Sequence, residues 1–195
     1  MPYLLLKDLP RYDCLLEAAK EFPDLDPSAV EAFLHLLRTG DEVFGLTDKN
    51  LSDHNISHGR FGVMMLLWHG GEEARNGDSL AAAGCEGGPR TPAELAEAAG
   101  VTRATMTGLI DTLERDGFVK REPDPNDRRM MSVRLTPEGE RFLVQFLPGH
   151  FQAIASLMSP LTETERKILV QLLGKVQQHA STLNGGKKPA SPAIS

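Results

Sequence analysis

One stretch, residues 91–139, constrains the fold of this chain more than any other. Thr91 is followed by a proline and, three residues on, by Glu94, which is the pattern of an N-cap, a first-turn proline and a capping box. The helix that begins here is expected to end at Gly100, because glycine adopts the left-handed backbone conformation at little cost. Thr102 is expected to cap a second helix with apolar residues at helical spacing. Two short helices joined by a tight turn that contains glycine predict a helix-turn-helix.

The second helix carries short polar and basic side chains near its N-terminus. Thr102, Arg103, Thr105 and Thr107 share this region. Such side chains are small enough to approach a major groove, and they offer hydroxyl and guanidinium donors to base edges and phosphates. An ordinary solvated helix face is the alternative interpretation, and the two helices alone do not decide between the two.

A β-hairpin is predicted directly after the second helix. Residues 118–121 have the pattern of one strand and residues 131–135 that of its partner, with a turn rich in proline and aspartate between them. Apolar and polar residues alternate in the second strand, so one face is expected to pack against the helices. The residues expected on that face are Met131, Val133 and Leu135.

Two arginines, Arg128 and Arg129, are predicted at the tip of this hairpin. An arginine at a loop tip suits a narrow minor groove, whose negative potential attracts cations, and Asp127 is placed to brace Arg129. The alternative is a plain surface hairpin with a local ion pair, which contributes little to stability. The helices and the hairpin together favour DNA binding. The residues predicted to contact DNA are Thr91, Thr102, Arg103, Thr105, Met106, Thr107, Asp127, Arg128 and Arg129.

The order TPAELAEAAGVTRATMTGLIDTLERDGFVKRE…DPNDRRMMSVRLTPEG resembles the winged helix-turn-helix of the MarR family of bacterial transcription regulators. The segments LERDGFVKR, DPNDRR and VRLTPEG carry the resemblance most specifically, and it continues more weakly from about Asp26 to Leu183. The resemblance implies a homodimer that binds a pseudo-palindromic operator in double-stranded DNA, most often as a repressor. It also implies release from DNA by a small ligand, often aromatic or phenolic.

The expected fold class is mainly α with a small β-wing, in which a winged helix-turn-helix lobe joins a helical dimerisation region. The apolar residues of the N- and C-terminal helices exceed what a small lobe can cover, so they are expected at a homodimer interface. The long first helix is expected to end near Thr47, and Pro148-Gly149 is expected to kink or split the helix after the wing. The predicted segments are an N-terminal arm (1–25), first dimerisation and core helices (26–69), a glycine-rich loop (70–90), the winged helix-turn-helix (91–139), C-terminal dimerisation helices (140–183) and a disordered tail (184–195).

Composition excludes several classes of protein. The net charge of −6 argues against a polycation that coats nucleic acid, although the local charge at a contact surface decides whether a protein binds DNA. The scattered cysteines and histidines form no metal motif, and no cofactor is predicted. We find no nucleophile constellation or phosphate loop, so an enzyme is not expected. The sequence has no signal-peptide or membrane-span pattern, which predicts a cytoplasmic protein with no membrane partner.

An effector site is predicted from helix facing and from the resemblance. Core packing is the alternative for its methionine-rich part, since methionine is common in cores. Two other functions stay open: a redox-responsive regulator that senses through Cys85 or Cys14, and a helical protein-interaction module with no DNA role. A carboxylate beside Cys85 argues against a reactive thiolate. The residues predicted to contact the effector are Phe33, His58, Phe61, Met65, Trp68 and Arg121.

Overall fold

The computed structural model describes residues 8–68, 88–123 and 130–183. Within them the protein is mainly α-helical with one two-stranded antiparallel sheet, as predicted. The elements in chain order are α1 (Tyr12–Glu21), α2 (Pro27–Ser52), α3 (His58–Leu67), α4 (Pro92–Ala99), α5 (Arg103–Arg115), β1 (Val119–Pro123), β2 (Met131–Leu135), α6 (Pro137–Leu157) and α7 (Glu163–Leu183). Three sets of predictions lie outside the described residues: the wing tip with Asp127, Arg128 and Arg129; most of the loop predicted at 70–90, including Cys85; and the tail at 184–195.

The long helix α2 begins at Pro27 and ends later than predicted. The Asp26 carboxylate accepts hydrogen bonds from the backbone N–H of Ser28 at 2.9 Å and of Ala29 at 3.2 Å, so it caps the helix. The predicted end near Thr47 is wrong, because the helix continues to Ser52. The residues after Thr47 are mostly polar, so their types alone indicate a loop. Leu51 is nevertheless completely buried, and its packing stabilises the additional helical turn.

The helix-turn-helix forms through the local signals that the sequence carries. The Thr91 hydroxyl accepts from the Glu94 backbone N–H at 3.3 Å, while the Glu94 carboxylate accepts from the Thr91 backbone N–H at 2.7 Å, which completes the capping box. Gly100 ends α4 with φ of +64°, where a side chain would be strained. Thr102 then caps α5 by accepting from the Thr105 backbone N–H at 3.1 Å. These predictions are confirmed.

The sheet of the wing pairs Val119 with Leu135 at one end and Pro123 with Met131 at the other. Val133 and Leu135 are buried as predicted, but Met131 is 44% exposed, so its predicted packing is wrong. Met131 pairs with Pro123, at the end of the sheet farther from α5, whereas Leu135 pairs with Val119 at the nearer end. The side chain of Ser132, on the opposite face, is only 2% exposed. Cover on this face is local to Ser132, because its neighbour on the same face, Arg134, is exposed.

One hydrophobic core joins α2, α3, α4, α5, the sheet and the start of α6. Its members are large aliphatic side chains, and most of them are almost inaccessible to solvent. This core fixes α5 on a rigid support, since protein interiors are close-packed. The core residues are Leu51, Ile56, Val63, Met64, Leu67, Leu95, Ala96, Met106, Ile110, Leu113, Val119, Val133, Leu135 and Leu143.

The chain divides into two compact units, Met1–Val144 and Gln145–Ser195, and α6 contributes to both. A kink or a split was predicted at Pro148-Gly149; the split is wrong, because α6 is continuous from Pro137 to Leu157, and the kink stays a prediction. Proline removes only one intrahelical hydrogen bond, and the residues on both sides of it keep the helical conformation.

The second unit contains the end of α6 and all of α7. A capping box begins α7: the Thr162 backbone N–H donates to the Glu165 carboxylate at 2.7 Å, and the Glu165 backbone N–H donates to the Thr162 hydroxyl at 3.3 Å. None of the residues of α7 is buried, although many are apolar. Among the described helices, none is long and apolar enough to cross a membrane.

Candidate nucleic-acid interface

Helix α5 has one buried face and one polar exposed face. Met106, Ile110 and Leu113 lie at helical spacing and are each 0% exposed. The predicted DNA contact by Met106 is therefore wrong: its side chain belongs to the core, because position 106 shares the inner stripe with position 110 one turn later. The outward residues predicted for DNA contact, Thr102, Arg103, Thr105 and Thr107, are all exposed.

The hydroxyl groups on this face are held by local hydrogen bonds. Thr107 donates its hydroxyl proton to the backbone carbonyl of Arg103 at 2.9 Å, which leaves the lone pairs of its oxygen as acceptors. The hydroxyls of Thr102 and Thr105 lie 2.9 Å apart, so one of them donates to the other and one proton stays available. The surface therefore offers both an acceptor and a donor, which is what base edges in a major groove require.

Arg103 provides the cation of this face. It is the first residue of α5 and is exposed, and its guanidinium makes no hydrogen bond or ion pair with another residue among those the structure describes. Within the described part of the chain, no pair has to break before Arg103 contacts a base or a phosphate. Arginine is the side chain best suited to bidentate recognition of guanine or phosphate.

Thr91, also predicted to contact DNA, has a structural role here. Its side chain is buried, and its hydroxyl donates to the Glu94 carboxylate at 2.8 Å while accepting from the Glu94 backbone. The hydroxyl is thus committed to the first turn of α4, and the direct contact of Thr91 with DNA stays a prediction.

Arg121 joins the wing to the recognition helix α5. Its guanidinium contacts the Asp111 carboxylate at 2.5 Å and also pairs with Glu114, whose carboxylate accepts from the Arg121 backbone N–H at 3.1 Å. The hydrogen bond to Asp111, together with the charges of both carboxylates, raises the pKa of Arg121 above its ordinary value. The predicted role of Arg121 in effector binding stays a prediction, and its charge is already matched by two acids of α5.

Arg60 makes a second connection, from α3 to the end of α5. One guanidinium nitrogen lies 2.5 Å from the Asp116 carboxylate, and another donates to the Asn55 carbonyl at 3.3 Å. The guanidinium carbon lies 6.0 Å from the centroid of the Phe118 ring, within range of a cation–π contact. Sequence patterns did not single out Arg60, since its partner Asp116 is far away along the chain.

The exposed face of the wing carries a cluster of three charged residues. Lys120 lies directly opposite Arg134 in the sheet, and the Glu122 carboxylate contacts both, at 2.5 Å from the Lys120 ammonium and 3.1 Å from the Arg134 guanidinium. The hydrogen bond with Lys120, then that with Arg134, lowers the pKa of Glu122 below its ordinary value of 4.5. We call these three residues the wing triad.

The base of the wing is fixed to α6 by Thr136 and Gly139. The Thr136 hydroxyl donates to the Gly117 carbonyl at 2.6 Å and accepts from the Gly139 backbone N–H at 3.1 Å. A Cβ atom on Gly139 would overlap the carbonyl oxygen of Phe118, so only glycine fits here without a shift of the backbone. The position of the wing is therefore fixed by two sets of contacts: those of Thr136 and Gly139 at its base, and those of Arg121 with α5.

Phe33, one of the residues predicted to contact an effector, lies apart from the surroundings of His58. The His58 ring stacks on Phe44 at 4.4 Å, with its nitrogens 3.0 Å from the Thr47 hydroxyl and 3.2 Å from the Asp48 carboxylate. Phe33 is 57% exposed and lies eleven residues from Phe44, about 16 Å along α2. Phe61, Met65 and Trp68 are partly buried in and after α3. Their role in effector binding stays a prediction.

Comparison with known proteins also indicates a DNA-binding protein. The family model of the MarR family matches residues 86–131. The HTH-type transcriptional repressor YetL of Bacillus subtilis (strain 168) is 34% identical over 176 residues, which cover 90% of this chain and 96% of YetL. A cysteine-to-serine mutant of MarR from E. coli, in complex with operator DNA, aligns with a TM-score of 0.57 and 26% identity over 81% of this chain and 96% of that one.

A third protein, BpsR of Bordetella bronchiseptica, aligns with a TM-score of 0.56 and 24% identity over 73% of this chain and 91% of that chain. Its DNA binding is regulated by 6-hydroxynicotinic acid, and at this identity the likeness concerns the fold alone. Fold, exposed α5 face and relatives define a DNA-binding regulator of transcription with a winged helix-turn-helix. The chain belongs to the MarR family.

Proposed function

We propose that this protein is a homodimeric repressor of the cytoplasm that binds a pseudo-palindromic operator and leaves it when a small ligand binds. The exposed face of α5 carries the cationic Arg103 and lies opposite an inner face that is completely buried; this is the observation that supports DNA reading most strongly. Two copies of α5 enter successive major grooves about 34 Å apart. The wing tips reach the flanking minor grooves through Arg129. The protein acts by binding and has no catalytic role.

The need for a second subunit is supported by the apolar surface of α7. Ile168, Leu172 and Val176 are exposed at four-residue spacing on that helix. A contiguous apolar stripe of this kind is unfavourable in water, and obligate dimers bury such surfaces. A second copy of the chain supplies the matching stripe, since symmetric dimers pair identical surfaces.

Release by a ligand follows from the fixed geometry of the operator. Because DNA accepts one separation of the two α5 helices, a ligand that prefers another separation weakens DNA binding by its differential affinity. The aromatic side chains of Phe61 and Trp68, with His58 between polar partners, favour an aromatic or phenolic ligand near α3.

The experiment is a fluorescence-anisotropy titration of duplexes from the DNA beside the gene, compared with an unrelated duplex. Arg103→Ala is expected to weaken operator binding at least several-fold, because a bidentate contact to a base contributes about 1–3 kcal/mol. Arg141→Ala is the matched control, since Arg141 is an exposed arginine on α6 that pairs with Glu138. Sedimentation should show a dimer for every variant at micromolar concentration.

The same titration is repeated in the presence of small phenols and aromatic carboxylates. At least one should release the operator from wild type, and the response should persist when Cys14 and Cys85 are both changed to serine. A response that disappears with the cysteines would favour the redox alternative. Equal affinity for operator and unrelated DNA, or a monomer in solution, would contradict the proposed function.

A further inference from the structure

The wing triad is a built charge arrangement that the proposed mechanism does not use. Lys120 and Arg134 are cross-strand partners, and like charges placed directly opposite each other in a sheet are unfavourable. Glu122 relieves this repulsion by contacting both cations at 2.5 and 3.1 Å. All three side chains stay substantially exposed to solvent, with relative accessibilities of 47%, 49% and 36% for Lys120, Arg134 and Glu122. The triad is therefore a cationic pair with a carboxylate seated between its members.

The location of the triad suits contact with nucleic acid. Lys120 and Glu122 alternate along β1 with Val119, whose side chain is buried in the core, so the triad lies on the face that points away from the helices. The two strands continue from α5 toward the tip at which Arg128 and Arg129 are predicted. Under the proposed function the duplex contacts both α5 and the wing, and the strands that carry the triad follow directly after α5.

We propose that Lys120 and Arg134 form a binding site for the DNA phosphate backbone, and that Glu122 occupies this site and limits its strength. The inference rests on the proposed function, because it needs a duplex against the wing. A phosphate oxygen makes the same charge-assisted hydrogen bonds to lysine and arginine as the carboxylate does. Exposed ion pairs are weak, so a phosphate can compete with Glu122 for the two cations.

The local charge decides the expected behaviour. With Glu122 present the triad carries one net positive charge, since two cations face one anion. Glu122→Gln raises this to two, whereas Lys120→Gln or Arg134→Gln lowers it to zero. Counterion release makes the salt dependence of binding a direct count of the phosphates that a protein neutralises. Glutamine has the shape of glutamate and keeps an acceptor oxygen, so the hairpin register is retained.

The experiment measures the dissociation constant for an operator duplex and an unrelated duplex at several salt concentrations between about 50 and 200 mM. Glu122→Gln is expected to tighten binding to both duplexes and to steepen the plot of log K against log salt by about 0.9 per subunit. Lys120→Gln and Arg134→Gln are expected to weaken binding to both and to make the slope shallower. Adding Lys120→Gln to Glu122→Gln should return the slope to about that of wild type.

Glu163→Gln is the matched control. Glu163 is an exposed acid on α7 that pairs with Lys167 at 2.7 Å, so the variant changes the net charge equally in an element that is not part of the wing. If Glu122→Gln and Glu163→Gln give the same slope and affinity on a duplex that wild type binds, this inference is overturned and the proposed function stands. If wild type binds no duplex with a measurable salt dependence, both are overturned.

Discussion

Replacing Met106 with alanine separates a core role for this residue from a role in reading DNA. The side chain is 0% exposed on the inner face of α5, between that helix and the core of the lobe. A buried methionine replaced by alanine destabilises a protein by about 2–5 kcal/mol, through lost transfer free energy and an unfilled cavity. Since whole proteins are stable by about 5–15 kcal/mol, this is a large fraction of the total. For a chain of this length the expected fall in melting temperature is roughly 4–20 °C.

The measurement is urea unfolding at one fixed protein concentration, followed by helical circular dichroism and by the fluorescence of Trp68, the only tryptophan. Met106→Leu conserves the volume and should lose less than about 1.5 kcal/mol while keeping its operator affinity. Met130→Ala is a control at an exposed methionine, for which a change within about 0.5 kcal/mol is expected. The reasoning fails if Met106→Ala is as stable as wild type and yet loses operator affinity, because a base contact would then explain the loss.

Two further predictions concern the base of the wing and the last helix. Gly139→Ala should destabilise the protein by about 1–3 kcal/mol in urea unfolding, because the new Cβ overlaps the Phe118 carbonyl. Gly149→Ala is the control on the same helix; its Cβ meets open space, so this variant should stabilise the protein by up to about 1 kcal/mol. Equal effects of the two variants would refute the close contact between Gly139 and Phe118. The hydrogen bonds that Thr162 donates through its backbone and side chain lower the pKa of Glu165 below its ordinary value of 4.5. The ionised carboxylate therefore stabilises the fold at pH values above 4.5, and this stabilisation is lost as the pH falls through the folded-state pKa. Melting curves of wild type and Glu165→Gln should accordingly converge as the solution is acidified from about pH 6 to about pH 3, whereas a constant difference between them would show that the carboxylate charge is irrelevant.

The helix-turn-helix was predictable because its signals are local. A threonine cap, a first-turn proline and a glycine with positive φ each act within four residues, so Thr91, Gly100 and Thr102 could be assigned from sequence alone. The burial of Met106 was also present in the pattern, since positions 106, 110 and 113 form one helical stripe. Its place among exposed threonines led to the wrong assignment as a DNA contact.

Features that depend on tertiary contacts could not be predicted. The end of α2 is set by the burial of Leu51, which polar neighbours in the sequence conceal. The wing triad requires the strand register, and the charges of Lys120 and Arg134 do not reveal that they lie opposite each other. The stacking of His58 on Phe44 depends on the angle between α2 and α3, which helical periodicity does not specify.

The first turn of α3 has a consequence for engineering hybrid regulators. His58 reaches back to Asp48 on α2, and two residues later Arg60 reaches Asp116 at the end of α5. A chimera that joins the winged helix-turn-helix of one relative to the dimerisation helices of another must therefore place its junction before the last turns of α2. A junction within residues 52–58 would take Asp48 from one protein and His58 from the other, so their contact would be lost. Helix α5, which Arg60 holds through Asp116, would then lose its orientation relative to α2.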